Sequence, residues 1–290
     1  MRRGWARALG GLALVMWTAC AGAQDFYRGK TINVVVSYSP GGGYDFAARV
    51  LARHIGKHIP GNPNAVVQNM PGGGSRTAAN YLQNSAPQDG TVLGIFSQYL
   101  QFAFLMDPDR SFDPGRFQSV GNLGQGGANV MAAHRRTGIT KLEDLKSKTL
   151  IVGSTGPQTN TEYYPATLHN LFGHKFKVVA GYIGIPDVVL AIERGELDGF
   201  SSSDWPGIKR ARPEWIKDGT LKIIAQIGLE REPELPGVPL ILDLARNDEE
   251  RAMLDLVSAG VDIGRPFFAG PGVPAERIAI LRKEIGRAHV

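Results

Sequence analysis

Short apolar runs suited to buried strands alternate along the chain with stretches of helical periodicity, and the first such unit sets the pattern. Ile32 to Tyr38 is a β-branched run long enough for one buried strand, and Pro40-Gly41-Gly42-Gly43 breaks it. Ala47, Val50, Leu51 and Ile55 then recur at helical spacing, with Asp45 in the first turn, where a carboxylate suits the macrodipole. The glycines leave backbone amides unshielded beside a helix start. Such a turn is either an anion site or a tight strand-to-helix connection with no ligand.

The unit repeats. A strand at Ala65 to Gln68, a second glycine loop at Pro71 to Ser75 and a helix from Thr77 lead to a strand at Thr91 to Phe96, which ends in Ser97-Gln98-Tyr99. Glycine-rich Val120 to Met131 reads as a crossover into a second half. There Thr149 to Val152 is a strand and Gly153 to Pro157 a polar loop. Thr159 with Glu162 fits a capping box, with Thr161 as a competing cap because Pro165 removes an intrahelical donor. Further strands fall at Lys177 to Ala180, Leu197 to Phe200, Lys222 to Gln226 and near Phe267, with helices at Asp187 to Arg194, Asp248 to Ala259 and from Pro274. Strands alternating with helices predict an α/β protein of mainly parallel sheets flanked by helices. Loops after the carboxyl ends of such strands gather at one edge, so two halves turn two polar edges toward a shared cleft.

The amino terminus has a different pattern. Arg2, Arg3 and Arg7 precede an apolar stretch from Leu9 to Ala19, and Ala21-Gly22-Ala23 has the small-x-small form of a cleavage site. Residues 1–23 therefore predict a signal peptide, cleaved ahead of Gln24, and a mature protein exported to the periplasm. Lipid attachment at Cys20 is the alternative. The apolar stretch is shorter than the ~20 residues of a spanning helix. Cys20 is the single cysteine, so no disulfide is expected and stability rests on core packing.

Charge then loses its weight as a functional signal. With Arg2, Arg3 and Arg7 removed, the excess of the 32 basic over the 27 acidic residues falls to two, too few and too scattered for a nucleic-acid surface. Gly41-Gly42-Gly43 lacks both the lysine of a phosphate loop and GxGxxG spacing, so no nucleotide cofactor is expected. His54 and His58 lie one helical turn apart without a third nearby ligand, which favours an exposed polar face over a metal site. Ser154 lacks the glycine spacing of a nucleophile elbow and a local histidine, and no catalytic residue is assigned. Asp45, Asp204 and Glu162 could meet as paired carboxylates, but like charges would oppose an anionic ligand. Trp205 and Trp215, beside Lys209, Arg210 and Arg212, read as an ordinary amphipathic segment in preference to a docking surface.

Six ordered segments resemble the solute receptors of tripartite tricarboxylate transporters, the Bug-type periplasmic binding proteins. They are Ser39 to Asp45 with Ala48-Arg49, Gln68 to Gly74, Ala86 to Thr91, Gly153 to Gly156, Gly195 to Asp198 and Leu235 to Pro239; the turn Ala269 to Pro274 fits as well. The resemblance spans nearly the whole mature chain. It implies a two-lobe periplasmic binding protein, type II-like and joined by a hinge, that closes on a carboxylate-bearing metabolite. The lobes are expected at 24–126 with 229–290, and at 127–228. The implied partners are a small organic acid and membrane transporter subunits, with no nucleic acid and a monomeric receptor. Carried over by position, the ligand-binding residues of the first lobe are Ser39, Gly42, Gly43, Tyr44, Asp45, Ser97 and Gln98. Those of the second are Ser154, Thr155, Gln158, Thr159, Gly184 and Asp204. The same ligand chemistry would serve a sensor that docks on a kinase, and a periplasmic hydrolase is a more distant alternative.

Three departures from the family pattern stand out. Tyr44 replaces a small residue, which narrows the cleft or stacks a flat ligand. Arg76 stands in a helix's first turn, where the dipole disfavours a cation, and either takes a second carboxylate or is a solvated side chain. The end at Glu284 to Val290 stops where family members usually continue through another helix, which predicts a truncated gene fragment.

Overall fold

A computed structural model describes residues 26–106, 111–123 and 127–287; the expected signal 1–23, with Cys20 and Gln24, lies outside them. In chain order the first half gives β1 (Thr31–Val36), α1 (Gly43–Ile55), β2 (Asn64–Asn69), α2 (Arg76–Asn84), β3 (Val92–Ile95), α3 (Leu100–Met106) and β4 (Gln118–Asn122). Then come β5 (Asn129–His134), β6 (Leu150–Gly153), α4 (Asn160–Phe172), β7 (Phe176–Val179), α5 (Ile185–Glu193) and β8 (Gly199–Asp204). The remainder is α6 (Trp205–Ala211), α7 (Pro213–Lys217), β9 (Leu221–Ile227), α8 (Asp248–Ile263), β10 (Pro266–Ala269) and α9 (Ala275–Arg287).

The strands form two five-stranded sheets, ordered β2-β1-β3-β10-β4 and β7-β6-β8-β5-β9. Each is mixed, with four of its five strands running the same way, as expected of mainly parallel sheets, and one running against them. β1 pairs in parallel with β2 and β3, and β6 with β7 and β8. β10 runs antiparallel to β3 and β4, and β5 antiparallel to β8 and β9. The cause is connectivity. β5 and β10 carry the chain into a sheet from the other lobe, and such an arriving strand is free of the handed crossover that makes local β-α-β neighbours parallel.

Both faces of each sheet are covered. Along β1, Val34 and Val36 join Leu51, Ile55, Phe267 and Leu281 on one side, while Val35 joins Ala78, Leu82 and Phe96 on the other. Along β5, Met131 and Ala133 meet Leu150, Tyr164 and Ile224, while Val130 and Ala132 meet Val188, Ile192 and Phe200. Period-2 alternation with apolar residues on both sides is what a strand buried between helix layers requires.

The glycine-rich stretch expected as the crossover does carry the chain from the first sheet to the second, between the end of β4 and the start of β5. β4 has little apolar pattern of its own and is made a strand by its backbone pairing with β10. Leu240, Leu254 and Val261 pack in the core of the second sheet, so much of the segment expected in the first lobe belongs there by contact. The chain passes back only after α8, at Gly264 and Arg265. Asn122, at the end of β4, ties this crossing: its Nδ2 donates to the Ile263 carbonyl at 2.7 Å and its Oδ1 accepts from the Arg265 amide at 3.0 Å.

The lobes touch across the cleft. The Ser39 hydroxyl donates to Asp187 Oδ2 at 2.8 Å, and the Ser39 amide donates to the Ile183 carbonyl at 3.1 Å. Tyr99, just ahead of α3, lies in the core of the second sheet. Its hydroxyl meets that of Tyr164, and both are 3.1 Å from the Val257 carbonyl.

Candidate functional site

Three helices begin at one place between the lobes. α1 starts at Gly43 after Gly42, α4 at Asn160 after Thr159, and α5 at Ile185 after Gly184. The first-turn amides of a helix have no acceptor within it, so each start contributes partial positive charge. Gly43, Asn160 and Ile185 all line a cavity of about 60 Å³, together with Tyr44, Gln98, Thr155, Ser202, Asp204 and Arg265 among others.

Arg265 is the cation of this cavity. Gly264 and Pro266 bracket it, and Asn122 fixes its backbone, so the guanidinium is delivered into the cleft from the crossing segment. Its Nη2 lies 3.1 Å from Asp204 Oδ2, with the two side chains only 19% and 17% exposed. The guanidinium also sits 5.7 Å from the Tyr44 ring centroid. A Cβ on Gly43 would fall 2.5 Å from Arg265 Nη2, so any side chain there would displace the guanidinium from this position. Five guanidinium donors exceed what one aspartate oxygen uses, and the remaining fork matches a second carboxylate.

Polar side chains complete the lining. Asn129 and Asn160 donate their amide nitrogens to Ser202 Oγ at 3.2 and 2.9 Å, which leaves the hydroxyl hydrogen of Ser202 to be donated. Tyr44 stacks on Tyr38 with centroids 4.9 Å apart and an interplanar angle of 28°. Its hydroxyl accepts from the Gln98 amide at 3.1 Å. Burial, with Tyr38 alongside, pushes the Tyr44 hydroxyl pKa well up, so it serves as a neutral, fixed wall. Among the described residues lining the cavity Asp204 is the one carboxylate, set against a guanidinium and three helix starts. The balance favours an anion.

Of the residues assigned from sequence, Gly42, Gly43, Tyr44, Gln98, Thr155 and Asp204 line this cavity. The others build it. Asp45 is buried, accepting from the Gly41 amide and Arg49 Nε at 2.8 Å each and from Asn69 at 3.0 Å. Ser39 bonds to Asp187, and Gly184 packs against Ser39. Ser97 accepts from the Tyr99 amide at 3.2 Å. Ser154 donates to Glu162 Oε1 at 2.8 Å, and Gln158 donates its amide to Glu162 Oε2 at 3.2 Å. Thr159 caps α4 by position, but its hydroxyl donates to the Gly156 carbonyl at 2.8 Å, so the expected capping box does not form. Glu162 is spent on the preceding loop instead.

Arg76 is not in the cavity lining. It bonds across the cleft to Gln158 Oε1 and, at 3.5 Å, to the Pro157 carbonyl. Trp205 and Trp215 are core residues beneath β8.

Sequence reasoning missed Arg265, Asn129, Asn160, Ser202 and Ser203. A Gly-Arg-Pro triplet just before a strand was the available signal for Arg265, since both flanking residues restrict where its side chain points. Ser202 and Ser203 belong to β8, which runs past the expected strand end at Phe200 to Asp204. Among the described residues no helix is long and apolar enough to cross a membrane.

No family model matches the chain. A UPF0065 protein from the tcbD-tcbE intergenic region of Pseudomonas sp. (strain P51) is 34% identical over 297 residues, covering 97% of this chain and 81% of the relative. MatC from Rhodopseudomonas palustris, solved with bound malate, superposes with a TM-score of 0.72 at 22% identity, over 90% of this chain and 84% of MatC. The periplasmic binding protein BugD gives a TM-score of 0.71 at 17% identity, over 90% of this chain and 83% of BugD.

Proposed function

Since the chain belongs to the UPF0065 family, the Bug-type periplasmic solute-binding proteins, we propose that it captures a small organic acid between its lobes for a tripartite tricarboxylate transporter. The observation that carries the reading is the Arg265 guanidinium, largely buried in a cavity where three helix starts converge. The carboxylate takes the free edge of the guanidinium while Asp204 keeps its own contact. Amides from the starts of α1 and α5, and the Ser202 hydroxyl, donate to the remaining lone pairs. The protein does no chemistry on its ligand: the cavity pairs its carboxylate with a guanidinium, and Ser154, the serine considered as a nucleophile, is not in the cavity lining and donates to Glu162, which also holds the Gln158 amide of the same loop. MatC, a fold relative, holds malate, which fits the same ligand class.

In this reading the first lobe comprises the sheet of β1 and the segment from Arg265 onward, and the second the sheet of β6 with α8. Ligand joins them, since neither half alone satisfies a carboxylate. The mature protein works in the periplasm.

Thermal unfolding against a panel of mono-, di- and tricarboxylates tests the proposal. At least one acid raises the midpoint in a concentration-dependent manner. A flat response to every acid overturns it, and turnover of an ester or amide would make the protein a hydrolase.

A further inference from the structure

The carboxylate cavity is too small for a whole metabolite. At about 60 Å³ it takes a head group, whereas sites for organic ligands usually run from roughly 300 to 1,000 Å³. A second cavity of about 370 Å³ adjoins it and shares Gly42, Gly43, Ile185, Pro186, Ser203 and Asp204 as lining. It runs from the starts of α1 and α5 outward between α5 and the pair α6 and α7.

Its far walls are apolar: Val189, Leu190, Phe200, Ile208 and Trp215. A ligand hydroxyl or second carboxylate facing them would lose its water without gaining a partner. Two arginines stand at its edge, off the apolar walls and already held by the protein. Arg212 Nε bonds to Glu193 at 2.7 Å and its Nη1 to the Ala211 carbonyl at 2.8 Å. The Arg210 guanidinium lies 4.2 Å from the Phe46 ring centroid of the opposite lobe, as a flat cover.

We infer that the ligand is a carboxylic acid with an apolar body, aryl or branched alkyl, whose body fills this second cavity while its head meets Arg265. The inference rests on the carboxylate-receptor reading above and narrows it. Leu190, 44% exposed at the rim, is the residue through which the body's space can be blocked without touching the core or the head-group site.

Titration calorimetry with benzoate, acetate and succinate tests it, using wild type and Leu190→Trp. Benzoate binds at least about tenfold more tightly than either small acid, and Leu190→Trp weakens benzoate by about tenfold while acetate is unchanged. In a Trp205→Phe background, the emission of Trp215 shifts with benzoate and not with acetate, which decides the matter even if Leu190→Trp fails to fold. Succinate binding as tightly as benzoate, or a benzoate preference with no response from Leu190→Trp or Trp215, overturns the inference and leaves the receptor reading intact. Absence of binding by all three acids, with a flat carboxylate panel, overturns both.

Discussion

The side-chain oxygen of Asn122 accepts the backbone amide of Arg265 at 3.0 Å, joining the end of one crossing segment to the start of the other. The residue at which the chain leaves the first sheet thereby also holds the backbone of the cation of the cleft. Asn122→Ala removes this bond and the one to Ile263. Each is worth about 1 kcal/mol, so the dissociation constant of the tightest panel acid rises by about fivefold or more, read by calorimetry. An unchanged constant would mean that Arg265 needs no such support.

Arg265 and Asp204 can be separated by a cycle. Arg265→Met costs the ligand its charged partner and leaves Asp204 buried and unpaired, so both affinity and melting temperature fall. Affinity drops by about 2–5 kcal/mol. Adding Asp204→Asn restores stability but not binding, because the ligand's need for a cation persists. Recovery of binding in the double variant would assign the anchor elsewhere.

Asp45 predicts a pH dependence. Burial alone would push its carboxyl up, but hydrogen bonds from Arg49, the Gly41 amide and Asn69 outweigh it and hold the carboxyl below the usual aspartate range. A depressed folded value adds stability that is fully present above the unfolded value of about 3.9 and is lost as pH falls through the folded one. Asp45→Asn lowers stability at neutral pH by about 1–3 kcal/mol and flattens the acid limb below about pH 4, measured as melting temperature against pH. An acid limb as steep as that of the wild type would remove Asp45 from the account.

A methyl group at Gly184 would stand 2.0 Å from the Ser39 hydroxyl oxygen of the other lobe. Gly184→Ala therefore holds the lobes apart without disturbing either core. Small-angle scattering shows a radius of gyration that no longer contracts when ligand is added, and affinity falls by more than about tenfold. Ser39→Ala in the same chain removes the obstructing oxygen and recovers much of the loss.

Leu51 is fully buried between α1 and β1. Leu51→Ala costs about 2–5 kcal/mol in denaturant unfolding, with little change in affinity for the folded fraction.

The elements that sequence exposed best are those with dense local patterns. β1, the glycine turn and α1 combine β-branching, breakers and helical spacing within one short stretch, and they stand where the pattern put them. β4 was invisible because Gln118 to Asn122 has one well-buried apolar residue and is a strand only through its partner. The site divides the same way. Backbone loops announce themselves through glycine, so Gly42 and Gly43 were found. Arg265 has only the weak Gly-Arg-Pro signal, since its setting comes from Asn122 and Asp204, distant in sequence. Arg76 and Asp45 looked like ligand contacts but are satisfied by groups of the protein itself, a matter of tertiary geometry that spacing does not encode.

Tyr99 gives the clamp a fulcrum. Its ring is embedded in the other lobe against Val257 and Tyr164, on the flank where α8 leads to the crossing segment, while the contact between Phe46 and Arg210 is an exposed cover at the opposite rim. The two lobes are thus joined unequally, by a buried aromatic pin at Tyr99 and by a surface contact at Arg210.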